Sequence, residues 1–219
     1  MKTSLIILLS SIVSFTFAQT TEKKDSLINK MCATIIETKE LEDSARVAIA
    51  FAMHLYPFLE KYPTEQREEI GMSIFYRMQR NCLPFKDILD KQEPAKGDWE
   101  TLDEKPKTLL NKQACRNFLD HKDYTYLEAS GDTVKLSIKN GYWTDHLKDG
   151  TYSKLKFQWV SDCEFDIVFV ESNNELRKGF SKPGDKYRYQ IIDNKENYYE
   201  LSVEILGTNR ISKFKIYFR

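Results

Sequence analysis

Two hydrophobic periods divide the chain. From Asp25 to about Leu89, apolar residues recur at close to the 3.6-residue spacing of an amphipathic helix. From Tyr124 onward they alternate with polar residues, the period of a strand with one buried face. The first period predicts three helices. Leu27, Ile28, Met31, Ile35 and Ile36 form one stripe; Val47, Phe51, Leu55, Phe58, Leu59 and Tyr62 a second; Ile70, Ile74, Phe75, Met78 and Cys82 a third. The breaks "KELEDS" and "KYPT" are short, which makes neighbouring helices antiparallel and the half a small three-helix bundle. Ser44 and Thr64 are expected N-caps, with Glu65 well placed for the helix dipole. Pro57 lacks an N–H and is expected to kink or end the second helix near Tyr56. The Met and aromatic stripes have the spacing that helix packing demands and read as core rather than as a ligand slot.

The alternating half begins after a change in composition. Residues 91–112, including "KQEPAKGDWETLDEKPK", read as a linker with two prolines, a glycine and mixed charge; Trp99 is expected to dock on a neighbouring domain. Beyond it, Tyr124 and Tyr126 share a face, as do Val134, Leu136 and Ile138, then Leu155, Phe157 and Trp159, then Cys163, Phe165, Ile167 and Phe169. Tyr187, Tyr189 and Ile191 follow, then Tyr199, Leu201, Val203 and Ile205, then Phe214, Ile216 and Phe218. Turn-forming separators such as "ASGD", "KNG", "KDG", "KPGD", "DNKE" and "LGTN" lie between them. About eight strands in sequential hairpins predict an antiparallel up-and-down β-barrel or half-barrel; its large inward side chains favour a filled core, with a hollow that holds a small ligand as the alternative. The fold class is therefore α+β: helical residues 19–90, linker 91–112, β domain 113–219.

The N-terminal "MKTSLIILLSSIVSFTFAQT" has a lysine, a short apolar core and small residues before Gln19. It reads as a secretory signal peptide over 1–18, cleaved between Ala18 and Gln19 and too short to span a bilayer comfortably. The mature chain is expected to be secreted or periplasmic, with no membrane span. Charge is balanced overall, 33 Lys and Arg against 33 Asp and Glu. Each half is balanced to within two charges, so neither carries the basic excess of a nucleic-acid binder.

Export sets the meaning of the cysteines. Cys32, Cys82, Cys115 and Cys163 are an even set in an oxidising compartment and are read first as disulfides, with three possible pairings. There is no Cys-x-x-Cys, no Gly-x-Ser-x-Gly elbow and no His-Glu-x-x-His. His54, His121 and His146 are scattered; Asp120, Asp123 and Asp145 beside the last two do not by themselves make a closed metal site. No cofactor and no catalytic residue is assigned.

One stretch resembles a known family. Cys115-x-x-Phe118, the Tyr124/Tyr126 strand and the later Trp159-x-x-Asp162-Cys163 followed by Phe165 resemble a pattern in small secreted proteins of Bacteroidota-type bacteria. His121-Lys122-Asp123 stands where that family often has Gly-Lys-Phe, and the resemblance covers residues 115–219. It implies a lipocalin-like β fold, a disulfide between Cys115 and Cys163, and no established activity. Each half holds two cysteines, so pairing within halves (Cys32–Cys82 and Cys115–Cys163) avoids entangling two separately folding domains; a cross-domain Cys82–Cys115 bond is the alternative. The expected function is a non-enzymatic binding or interaction module for a protein or a small apolar ligand. The alternative is an extracellular hydrolase whose site is hidden in the sequence.

Overall fold

The computed structural model describes residues 22–121, 123–208 and 210–218; the expected signal peptide, 1–18, lies outside the described residues. The chain divides into two compact units after Lys86. The first holds helix α1 (22–37), α2 (Asp43–Ala50), α3 (Tyr56–Leu59), α4 (Thr64–Asn81) and the start of α5 (Leu83–Gln92). Ile28, Met31 and Ile35 of α1 are buried with Ala50, Leu55, Ile74, Met78 and Phe85, so parts of the expected stripes form the core; Ile36 is exposed, and Val47, Phe51, Phe58, Leu59 and Tyr62 are half-buried. The helix count differs from three. The third stripe stops at Cys82, which is extended (φ −126°, ψ 95°), and α5 starts afresh at Leu83. Pro84 stands in the first turn of α5, where a missing N–H is tolerated.

Pro57 does not end the second helix. α2 runs into a π-helical turn, Phe51–Leu55, and on into α3 with Pro57 in its first turn. The ring would clash with the carbonyl four residues earlier in a regular α-helix. A wider turn directly before it relieves that crowding, and π-bulges are among the places where helices bend. The caps also differ. Glu42 and Pro63 occupy the N-cap positions without side-chain capping bonds, and Ser44 lies inside α2. Arg46 instead donates to the Ile35 carbonyl at the end of α1 from two nitrogens, both at 3.1 Å, placing a cation where the helix dipole is negative. Cys32 and Cys82 are bonded, tying α1 to the junction of α4 and α5.

In the second unit the strands are β1 (Glu100–Leu102), β2 (Asp123–Leu127), β3 (Thr133–Lys139), β4 (Tyr142–His146), β5 (Tyr152–Trp159), β6 (Glu164–Ser172), β7 (Lys186–Asn194), β8 (Tyr198–Ile205) and β9 (Ile211–Phe218). Each from β2 to β8 pairs antiparallel with the next, β9 pairs with β8, and β9 returns to pair with β2, so eight strands close into an up-and-down barrel. Short β1 adds to the free stretch of β9 beyond β2, through Glu100↔Lys213 to Leu102↔Ile211. The "KNG" separator is a two-residue hairpin. Asn140 and Gly141 have φ of 54° and 76°, the left-handed pair such a turn requires.

One end of the barrel is plugged. Helix α6 (Lys112–Arg116) and a 3-10 turn (Asn117–Leu119) precede β2 and place Phe118 inside. Its ring lies 5.0 Å from Tyr124, 5.6 Å from Phe165 and edge-on to Tyr199 at 5.2 Å. The Tyr124 hydroxyl donates to the Phe118 carbonyl. Cys115 and Cys163 are bonded, pinning this plug to the turn between β5 and β6. Above it, Phe165 stacks against Phe157 and Tyr189 and meets Trp143, so aromatic side chains occupy the barrel interior. Residues 91–112 lie along the barrel. Trp99 stacks on the inward ring of Phe214 at 4.4 Å and donates to the Leu127 carbonyl, while Leu109 donates to Ile192 of β7.

The Cys115–Cys163 bond closes a loop of 48 residues. Replacing both cysteines with serine should lower the unfolding free energy of the β unit by about 4 kcal/mol on the chain-entropy account. Denaturant unfolding followed by tryptophan fluorescence reads it; an unchanged midpoint would show that the plug holds without the bond.

Candidate functional site

Strand β4 carries an exception to the apolar interior. Its inward positions are Trp143 and Asp145, both buried. The Asp145 carboxylate accepts a hydrogen bond of 2.9 Å from the Trp143 indole N–H, two residues back on the same strand. It also accepts from the Tyr126 hydroxyl. Burial pushes the Asp145 carboxyl up to about 7, against the pull of those two donors. Among the described residues it has no ion pair. The Tyr126 and Tyr189 phenols are both pushed well above their ordinary range, first by burial and then by the neighbouring Asp145 charge. Tyr189 is packed against the core yet keeps accessible surface.

Arg177 acts on the two phenols through its charge. It lies on α7 (Glu175–Phe180), the short helix between β6 and β7. Its charge favours the ionised forms of Tyr126 and Tyr189, and its guanidinium forms an ion pair with Glu128, just past the end of β2. The local sequence fixes α7. The Asn174 side chain accepts from the Arg177 N–H at 3.1 Å as an N-cap, and Glu175 bonds Lys178 one turn on at 2.6 Å. Asn174 also donates to Thr151 and Asp149, fastening the helix start to the β4–β5 loop. At the helix end, Phe180 packs against the core and Ser181 bonds the Tyr187 hydroxyl.

A cavity of about 530 Å³ opens at this end of the barrel, lined by Glu128, Val134, Leu147, Asn174, Leu176 and Arg177 among others. Arg177 is therefore shared between the cavity wall and the buried polar group. A larger hollow, about 680 Å³, lies on the outer wall beside Lys112, Asp162, Glu164 and Gln190. There Lys112 pairs with Asp162 at 3.0 Å and Lys105 with Glu164, while the Gln190 side-chain oxygen is buried without a partner. Glu164 there is held below the ordinary carboxylate range, burial pushing it up and the Lys105 and Ser161 donors overcoming that; among the described residues, no cluster of raised acids and phenols lies beside this hollow. The mouth, where such groups cluster beside a concavity, is the stronger candidate site.

The residues singled out from the sequence go elsewhere. All four cysteines are in disulfides. His54 shares a 2.8 Å hydrogen bond with Thr34, His121 stacks on Phe218 at 3.9 Å, and His146 stands on the outer face of β4. Among the described residues, no three His, Cys, Asp or Glu side chains converge to hold a metal. Asp145, Tyr126, Tyr189 and Arg177 were not singled out as a site. The available signal was parity. Trp143 and Asp145 are two apart in "YWTDH", so a strand with Trp143 inside must bring Asp145 inside too. The sequence matches no protein-family model and no curated protein.

Protonation gives the site a testable signature. The folded Asp145 carboxyl titrates at about 7 against 3.8 ordinarily, so the folded state binds this proton more tightly than the unfolded one. Its contribution is full below pH ~4, is lost as pH rises through ~7, and amounts to on the order of 4 kcal/mol. Asp145→Asn should remove that slope. The variant should be more stable than the parent at pH 8 and lose the advantage near pH 4. Parallel stability curves from chemical denaturation would show that Asp145 does not carry the proton.

Proposed function

We propose that the protein is an exported, non-enzymatic binding module, and that its barrel takes a small ligand at the mouth beneath α7. The observation that carries this reading is the mouth cavity bordered by Arg177, which pairs with Glu128 at the rim and whose charge is felt by the Tyr126 and Tyr189 phenols. Val134, Leu147 and Leu176 supply apolar wall, so the fitting ligand has an apolar body and one polar or anionic group directed at Arg177. The interior below is occupied by Phe118, Trp143, Phe165 and Phe214, which confines the ligand to the mouth. Two disulfides and the signal-like N-terminus support export. The lipocalin-like assignment rests on the barrel together with the Cys115–Phe118 and Trp159–Phe165 resemblance.

A hydrolase is the second reading, favoured by one fact: Asp145 holds its proton up to about 7, as a general acid does. Asp145 is not among the residues lining the cavity, and an acid must reach its substrate. Binding is therefore preferred.

Purification from the native host, followed by denaturation and mass spectrometry of the released small molecules, tests the proposal. The parent should release a stoichiometric compound. Arg177→Gln should retain at least tenfold less, and Leu176→Trp, which fills the cavity from an exposed helix position, should retain none. Undiminished ligand in Leu176→Trp would place the binding site elsewhere.

A further inference from the structure

The outer wall of the barrel is not uniform in charge. Across β6 to β9, outward cations meet acids. Arg188 holds Asp166 through two nitrogens at 2.8 and 3.1 Å, Lys213 bridges Glu100 and Glu200, and Lys215 pairs with Asp98 at 3.3 Å. The wall of β3, β4 and β5 is built differently. Its register places Lys135, His146 and Tyr152 in one row, Ser137, Thr144 and Lys154 in the next, and Lys139, Tyr142 and Lys156 in the third. These nine outward positions hold four lysines and no acid. Acids touch only the margins. Asp123 pairs with Lys139 at 2.9 Å, and Glu171, opposite Lys154 across the strands, accepts from the Tyr152 hydroxyl at 3.3 Å. Lys154 instead lies over the ring of Tyr142, 4.4 Å from its centroid. A chain of balanced net charge thus presents one wall on which Lys139 and Lys154 stand beside an acid, while Lys135 and Lys156 have no acid partner among the described residues.

The chemistry of the nine positions narrows the partner. The charges are all lysine, compact point charges that meet an anion of any geometry, so the groups between them set the preference. Hydroxyls from Ser137, Thr144, Tyr142 and Tyr152 lie between the lysines, offering donors and acceptors to a hydroxyl-rich ligand. None of the nine is a large aliphatic side chain that could anchor in a bilayer. Strand and residue spacings spread the grid over about 13 Å along the strands and about 10 Å across them, enough for several units of a linear polymer. We infer that the β3–β5 wall is a docking surface for an acidic polysaccharide, with Lys135, Lys139, Lys154 and Lys156 meeting its carboxylates and the hydroxyl side chains its sugar hydroxyls. This surface is separate from the mouth and does not depend on a ligand there.

Polygalacturonate is a suitable probe, titrated into the full chain by calorimetry with dextran as the uncharged control. Binding should appear with polygalacturonate alone and weaken by roughly tenfold or more between about 50 and 200 mM salt, as release of counterions requires. Lys135→Glu with Lys156→Glu should lower affinity at least tenfold, with the thermal midpoint unchanged because both side chains are exposed. Lys61→Glu, an exposed lysine of the helical unit, should leave affinity unaltered. Absence of binding at low salt, equal binding of dextran, or equal loss in Lys61→Glu overturns the inference. So does equal or tighter binding of duplex DNA, or of vesicles made from equal parts phosphatidylglycerol and phosphatidylcholine.

Discussion

The β unit depends on β9 pairing along both of its edges. Its full length lies against β8, and its last residues, Tyr217 and Phe218, meet Thr125 and Tyr124 of β2. Closing the sheet leaves no long edge for another chain to extend, and it creates an inside that must be filled. Everything else in this unit answers that second demand. Phe118 comes in from the plug at one end, Trp99 stacks on Phe214 from the preceding segment, and Phe157, Phe165, Tyr189 and Trp143 occupy the middle. Short β1 occupies the stretch of β9 that β2 is too short to cover.

Much of this was readable from residue spacing, because burial on one face forces alternation and nothing local competes with it. The inward sets from Tyr124 to Phe218 lie where period two puts them. What spacing could not show were the places where the ladder slips. Bulges between Lys154 and Leu155, and between Ile191 and Asp193, shift the pairing by one residue, and both Ile191 and Ile192 end up buried. A bulge leaves an almost ordinary local sequence and is fixed by its partner strand. In the helical unit, Pro57 signals a disturbance but not its form, since ending the helix and widening its preceding turn both relieve the same clash. The mouth was hidden for another reason. Asp145, Tyr126, Tyr189 and Arg177 come from three strands and a helix, and only closure brings them within reach of one another.

The two electrostatic features have opposite characters. Asp145 is one acid placed where water cannot solvate its charge, and a proton settles the matter. The β3–β5 wall is several cations placed where water solvates them freely, and only a partner carrying many opposite charges gains much from them. Net charge conceals both, because the sum over the chain is zero.

The Cys115–Cys163 bond also bears on the order of assembly. It joins the plug to the start of β6, so once it forms β2, β3, β4 and β5 lie within a covalent ring. The route along the chain from β2 to β9 then passes through the sulfurs instead of around half the meander. Loop-closure cost grows only slowly with length, so the saving in search is modest, but it falls on the most distant pairing in the barrel. Once formed, the bond therefore gives the chain a head start on the seam between its most distant strands.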